Sequence, residues 1–134
     1  MSVPMAVGSI GWIDMTSPDP EAARAFYEAV VGWGSTALSM GDHDDYCMTP
    51  PAGGDPLAGI CREQGSAATG LPPMWMIYIV VADLEAALTT VVERGGEVRV
   101  GPRGAGGGRY AVVRDPVGAY AALYEQLPTP VASA

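Results

Sequence analysis

Two stretches of the chain carry hydrophobic residues in the manner of strands, and each runs into a segment whose hydrophobic residues recur every three or four positions. The first strand-like run is Ile10-Gly11-Trp12-Ile13-Asp14-Met15 and the second is Met76-Ile77-Tyr78-Ile79-Val80-Val81. After the first, Asp19 is a suitable N-cap and Pro20 suits the first helical position, because its missing N–H has no partner to lose there. Ala23, Phe26 and Val30 then form the expected apolar stripe, and Gly32 is free to take the left-handed conformation that ends a helix. After the second run Asp83 caps, Leu84, Leu88, Val91 and Val92 supply the stripe, and Gly95-Gly96 stop it. Short strand segments follow each helix, divided by Gly, Asp and Pro: Ser35 to Ser39, Tyr46 to Thr49 and Leu57 to Arg62, then Glu97 to Val100, Tyr110 to Arg114 and Tyr120 to Glu125.

The two series are one pattern repeated. Asp19-Pro20-Glu21-Ala22-Ala23 returns as Asp83-Leu84-Glu85-Ala86-Ala87, 64 positions on, and Gly32 falls on Gly96. The expected architecture is a single α+β domain over 1–134, with module one at 9–64, a Gly/Ala/Pro-rich linker at 65–73, module two at 74–127 and a tail at 128–134. Each module reads strand, helix, three strands.

Composition narrows the partners. With 49% apolar and 16% charged residues the chain can bury a core. The net charge of −8 comes with no basic stripe, which disfavours nucleic acid and anionic membrane and mildly favours a cationic ligand. The beginning has no signal-like pattern and no apolar run reaches membrane-spanning length, so a cytoplasmic location is expected. Cys47 and Cys61 lie in no metal or redox spacing and read as ordinary reduced thiols.

Several motifs together resemble the vicinal oxygen chelate superfamily, which includes glyoxalase I, extradiol dioxygenases and the bleomycin-resistance proteins. They are Trp12-Ile13-Asp14-Met15 leading into Asp19-Pro20, Ala25-Phe26-Tyr27, Gly32-Trp33, Trp75-Met76-Ile77-Tyr78 leading into Val81-Ala82-Asp83, Gly95-Gly96, Arg109-Tyr110-Ala111-Val112 and Asp115-Pro116-Val117-Gly118. The resemblance covers about residues 9 to 127. It implies two paired βαβββ modules whose mixed sheet curls into a cup, commonly completed in a homodimer.

Metal-dependent members of that family hold a divalent ion with His or Glu from four strands. The corresponding positions here are Trp12, Met76, Ala122 and, with a looser alignment, Gly59 or Cys61; only Glu63 could enter the last by a register shift. Trp, Met and Ala cannot supply the converging N, O or S donors of a first-row divalent site, so no metal and no cofactor is expected. Lewis-acid and redox chemistry that depends on the ion is then not expected either.

Strand alternation places Trp12, Asp14 and Thr16 on one face, with Met76, Tyr78 and Val80, and Tyr120, Ala122 and Tyr124, on the faces that correspond. Tyr46 and Tyr110 complete a candidate ligand-binding set of Trp12, Asp14, Tyr46, Met76, Tyr78, Tyr110, Tyr120 and Tyr124. For the aromatic residues core filling is the competing reading, and for Asp14 a turn or helix-end partner. His43 sits in Gly41-Asp42-His43-Asp44-Asp45 and reads as an exposed turn residue. The Gly101 to Gly108 run reads as a hairpin connection, with Arg103 and Arg109 beside it, because no helix follows where a phosphate loop requires one. The leading functional expectation is a binding protein that sequesters an aromatic or cationic small molecule such as an antibiotic or secondary metabolite. A metal-independent lyase, isomerase or cyclase using Asp14 or a tyrosine is the second, and a vestigial cup mediating subunit contacts the third.

Overall fold

A computed structural model of the chain describes residues 5–63, 69–105 and 107–127. The expected linker lies partly outside them, at 65–68, and the tail at 128–134 wholly so. The elements are β1 (Ile10–Ser17), α1 (Pro20–Val31), β2 (Gly34–Ser39), β3 (Asp44–Thr49), β4 (Ala58–Arg62), β5 (Trp75–Val80), α2 (Leu84–Glu93), β6 (Glu97–Ala105), β7 (Gly108–Arg114) and β8 (Tyr120–Gln126). This is the α+β order the repeat predicts.

The chain divides into two compact units, residues 12–76 and residues 77 onward, the latter joined by the segment before Trp12. In the first unit β2 pairs antiparallel with β3, β3 antiparallel with β4, and β4 parallel with β1. In the second, β6 pairs antiparallel with β7, β7 antiparallel with β8, and β8 parallel with β5. Each helix thus connects a strand into a unit whose last strand returns parallel to that strand. The start of β1 belongs with the second unit because Gly8 N donates to Val80 O at 2.7 Å and Val80 N donates to Ser9 O at 2.9 Å.

The helix starts form as their sequences require. Asp19 Oδ1 accepts from Ala22 N at 3.0 Å and Asp83 Oδ1 from Ala86 N at 3.1 Å, satisfying one orphan N–H in each first turn. Gly32 ends α1 at φ 82°, and Gly95, at φ 87°, follows the Arg94 C-cap of α2.

Packing corrects the α1 stripe. Phe26 and Val30 are 57% and 65% exposed, while Pro20 is buried and Ala23 and Tyr27 pack on Tyr46, Met48 and Ile60 of the sheet. The buried arc of this Ala-rich helix therefore runs through Tyr27, one position beyond the expected Phe26. Tyr27 is the hub of an aromatic cluster: its ring lies 5.2 Å from Trp75, 5.7 Å from Trp33 and 5.0 Å from Phe26, and its hydroxyl accepts from Trp75 Nε1 at 3.0 Å. The Phe-Tyr and Gly-Trp signatures are therefore a structural joint of the first unit. On α2, Leu84, Leu88 and Val91 face Ala111 and Val113 as expected, but Val92 is 62% exposed.

Two strand boundaries also differ from the sequence reading. β6 continues through the glycine run to Ala105, with Arg103 opposite Tyr110 and Gly104 opposite Arg109, after register shifts near Val98 and Val100. The polar cluster around His43 contributes Asp44 and Asp45 to β3. Among the described residues no helix is long and apolar enough to cross a membrane.

Candidate functional site

The side of each sheet opposite its helix carries the candidate residues other than Tyr46. In the first unit Met15, Tyr46, Met48 and Ile60 are buried, and the register pairs Met15 with Ile60 and Tyr46 with Ile60. Tyr46, Met48 and Ile60 pack against α1. Alternation turns Trp12, Asp14 and Thr16 of β1, Asp45 and Cys47 of β3, and Gly59 and Cys61 of β4 to the other face. Trp12 and Asp14 are half-buried there. In the second unit Ala111, Val113 and Leu123 pack against α2, so Tyr110, Tyr120, Ala122 and Tyr124 take the opposite face, together with Tyr78, whose register partner is Ala122.

Tyr46 does not share the face expected of it. It packs on α1, its hydroxyl donating to Glu21 Oε2 at 3.3 Å and its ring carrying the Arg24 guanidinium 4.7 Å above. Desolvation and then the Glu21 carboxylate hold its phenol above the ordinary range. His43 is likewise not an open turn residue. Its side chain is 17% exposed, with Nδ1 2.7 Å from Asp42 Oδ1 and Nε2 3.5 Å from Asp45 Oδ1.

The open face of the first unit pairs an aromatic ring with carboxylates and thiols. Asp14 lies opposite Gly59, and the Trp12 indole rests against the same glycine. Asp45 Oδ1 accepts from Arg62 N at 2.9 Å, and the Asp45 carboxylate is also bonded to the Cys61 thiol. Burial pushes the Cys61 thiol well above its usual range, and the carboxylates of Asp14 and Asp45 push it further. Burial and then Asp45 raise Cys47 as well. Neither thiol is an activated nucleophile, since activation requires the opposite shift. Met76, which closes the first unit in sequence, is buried.

The open face of the second unit is a tyrosine surface. Tyr78 and Tyr110 have ring centroids 5.7 Å apart, and Tyr124 stands directly opposite Tyr110 across the β7–β8 ladder. Burial raises the Tyr124 phenol. Ala122, Val112 and Val80 are buried, making the base of this surface apolar. Arg109 turns to the helix side, donating to Glu85 at 3.2 Å and to Glu125 at 3.3 Å.

The positions that the family resemblance aligns with metal ligands hold Trp12, Met76, Ala122 and, with the looser alignment, Gly59 or Cys61; Trp, Met and Ala do not fit a first-row metal. Among the described residues no group of three or more His, Cys, Asp or Glu is placed to hold one. What these faces offer is stacking area, phenol hydroxyls and carboxylate charge. Two residues escape the sequence reading in the roles they play here, Gly59 and Gly108, on which Trp12 and Tyr124 rest; only the pairing of distant strands brings them together.

Comparison with known proteins agrees with this architecture. The profile of the Glyoxalase/Bleomycin resistance protein/Dioxygenase superfamily matches residues 9–123. The chain is 31% identical over 119 residues to the putative glyoxylase CFP32 of Mycobacterium bovis, covering 88% of this chain and 46% of that protein. It is 32% identical over 133 residues to the anthracycline biosynthesis protein DnrV of Streptomyces peucetius, covering 90% of this chain and 48% of that protein. The chain thus spans about half the length of the curated relatives it matches. Among solved structures, the methylmalonyl-CoA epimerase of Mycobacterium tuberculosis aligns with TM-score 0.55 at 19% identity, over 96% of this chain and 94% of that one, a likeness of fold.

Proposed function

Because the chain belongs to the Glyoxalase/Bleomycin resistance protein/Dioxygenase superfamily, we propose that it binds a small aromatic or cationic molecule, such as an antibiotic or secondary metabolite, without a divalent ion. The observation that carries this reading is Trp12 beside Asp14 on the open face of the first unit: a ring at a position the resemblance aligns with a metal ligand, and a carboxylate next to it. A planar ring stacks on indole, and a cation gains from both the ring and the carboxylate. Tyr78, Tyr110, Tyr120 and Tyr124, with Met76 nearby in sequence on β5, extend the same chemistry to the second unit. The protein acts in the cytoplasm as a homodimer, and the acidic surface enriches cationic ligands around it.

The test uses doxorubicin, a planar anthracycline with an amino group, and the metal content of the purified protein. Binding without stoichiometric zinc, nickel or iron, with stabilisation that rises with doxorubicin concentration by mass action, is the expected result. Binding that requires one of these metals overturns the reading.

A second reading is favoured by one relative, whose name assigns it to anthracycline biosynthesis. A metal-independent lyase, isomerase or cyclase would use Asp14 to move a proton at a ligand held on Trp12. If Asp14→Asn keeps doxorubicin-like ligands bound but abolishes turnover of an anthracycline precursor, this reading replaces sequestration.

A further inference from the structure

Gly59 lies in the interior of β4, where a glycine contributes no packing and weakens the strand. Its backbone does not require it: its φ lies outside the left-handed range that the chain's turn glycines occupy. The residue is buried. The reason lies in what a side chain there would meet. A methyl group at position 59 would sit 3.3 Å from Trp12 Nε1, 3.4 Å from Trp12 Cζ2 and 3.3 Å from Asp14 Cβ, and those three nearest atoms all belong to side chains of β1. The 3.3 Å contacts are tighter than ordinary van der Waals approach, so the indole or the Asp14 Cβ must shift by a few tenths of an ångström to admit a methyl group at 59, and further for a larger side chain.

We propose that Gly59 is the positioning residue of the first unit's open face: by carrying no side chain it lets the Trp12 indole rest across β4 beside Asp14, as a platform for a planar ring. The inference deepens the ligand-binding reading above and rests on it for the purpose of the platform. It goes further in making ligand choice depend on a residue with no side chain. Alanine at 59 moves the indole slightly; valine adds two more methyl groups and displaces it.

Two measurements separate the pairing from the ligand reading. The emission of Trp12 is obtained as the difference between wild type and Trp12→Phe, and its quenching by acrylamide is then compared in wild-type, Gly59→Ala and Gly59→Val backgrounds. Quenching of the Trp12 contribution rises about twofold in Gly59→Val and less in Gly59→Ala; an unchanged contribution in both overturns the proposal. If Gly59→Val does not fold, Trp12→Leu combined with Gly59→Val restores folding, and failure of that rescue also overturns it. Anisotropy of doxorubicin fluorescence then reads binding, with about tenfold weaker affinity expected in Gly59→Val. No binding to wild type, with Trp12 displaced in Gly59→Val, removes the ligand reading and leaves the pairing standing.

Discussion

The two units repeat one plan, yet they anchor their helices from different strands. Glu21 and Glu85 hold equivalent positions in the first turns of α1 and α2, and each accepts an arginine. Arg62, on the last strand of its unit's βαβββ run, reaches Glu21 at 2.7 Å; Arg109, on the penultimate strand, reaches Glu85 at 3.2 Å and Glu125 at 3.3 Å. Glu125 in turn accepts from Leu84 N at 2.8 Å, supporting the start of α2. The repeat has kept the requirement, a cation beside the acidic first turn, and let its source move. The open faces diverge more: indole, carboxylates and thiols in one unit, tyrosines in the other. The helix-packed side answers to the core, so it stays alike, while the open side is free to specialise.

Core truncation tests the likeness on the largest scale. Leu84 and Met48 are fully buried in the two units. Leu84→Ala and Met48→Ala should each lose about 2–5 kcal/mol of unfolding free energy in urea titrations. If one costs less than about 1 kcal/mol, the two cores are not equivalent.

The aromatic seats break the likeness. Unlike Gly59, Gly108 is crowded by main chain as well as side chain: a methyl group there would meet the carbonyl oxygen of Glu125 and lie 2.6 Å from Tyr124 Cζ and Oη. Gly108→Ala should therefore cost about 1–3 kcal/mol, more than Gly59→Ala. It should also lower the Tyr124 phenol toward the ordinary value of about 10, read by absorbance titration. The sign follows from burial, which favours the neutral phenol in the folded chain. Tyr124 contributes stability below about pH 10 that is lost as pH rises through its raised folded value, and that alkaline loss shrinks in Gly108→Ala.

The thiols belong to the first unit alone. Cys61 is held protonated by burial and by Asp14 and Asp45, so iodoacetamide at pH 8.5 should modify it about tenfold or more slowly than a free thiol. Asp45→Asn removes a negative charge and the partner of the thiol, and so lowers the Cys61 value and speeds alkylation. An Asp45→Asn rate equal to wild type would show that burial and Asp14 set the thiol without Asp45.

Much of this was legible in the chain, because the signals were local. Asp19, Asp83 and Gly32 act within a turn of themselves, and alternation along β1 placed Trp12 and Asp14 on one face. Tyr46 was not legible, since the face of β3 depends on its pairing with β4, set by residues more than ten positions away. Phe26 and Val30 misled because both are apolar at helical spacing yet stand exposed, so hydrophobicity along α1 does not by itself mark the arc that packs on the sheet. The extension of β6 was hidden in glycines, which have no side chain to alternate. Gly59 and Gly108 were invisible as seats for the same reason, their meaning lying in rings carried by other strands.

The smallest effect tests the displaced arginines. Arg62 and Arg109 are partly exposed, as are Glu21 and Glu85, so each single pair should contribute about 0–1 kcal/mol and weaken with salt. Arg109→Ala also deprives Glu125, whose side chain is 18% exposed, of its cation, whereas Arg62→Ala leaves the more open Glu21 and the exposed Pro18 carbonyl. Urea titrations at low and high salt should therefore show Arg109→Ala losing about a few tenths of a kcal/mol more than Arg62→Ala, with the difference persisting at about 1 M salt because a covered carboxylate is screened less. Equal losses that both vanish in salt would mean that the two arginines are interchangeable surface charges and that Glu125 supports α2 through the Leu84 N–H alone.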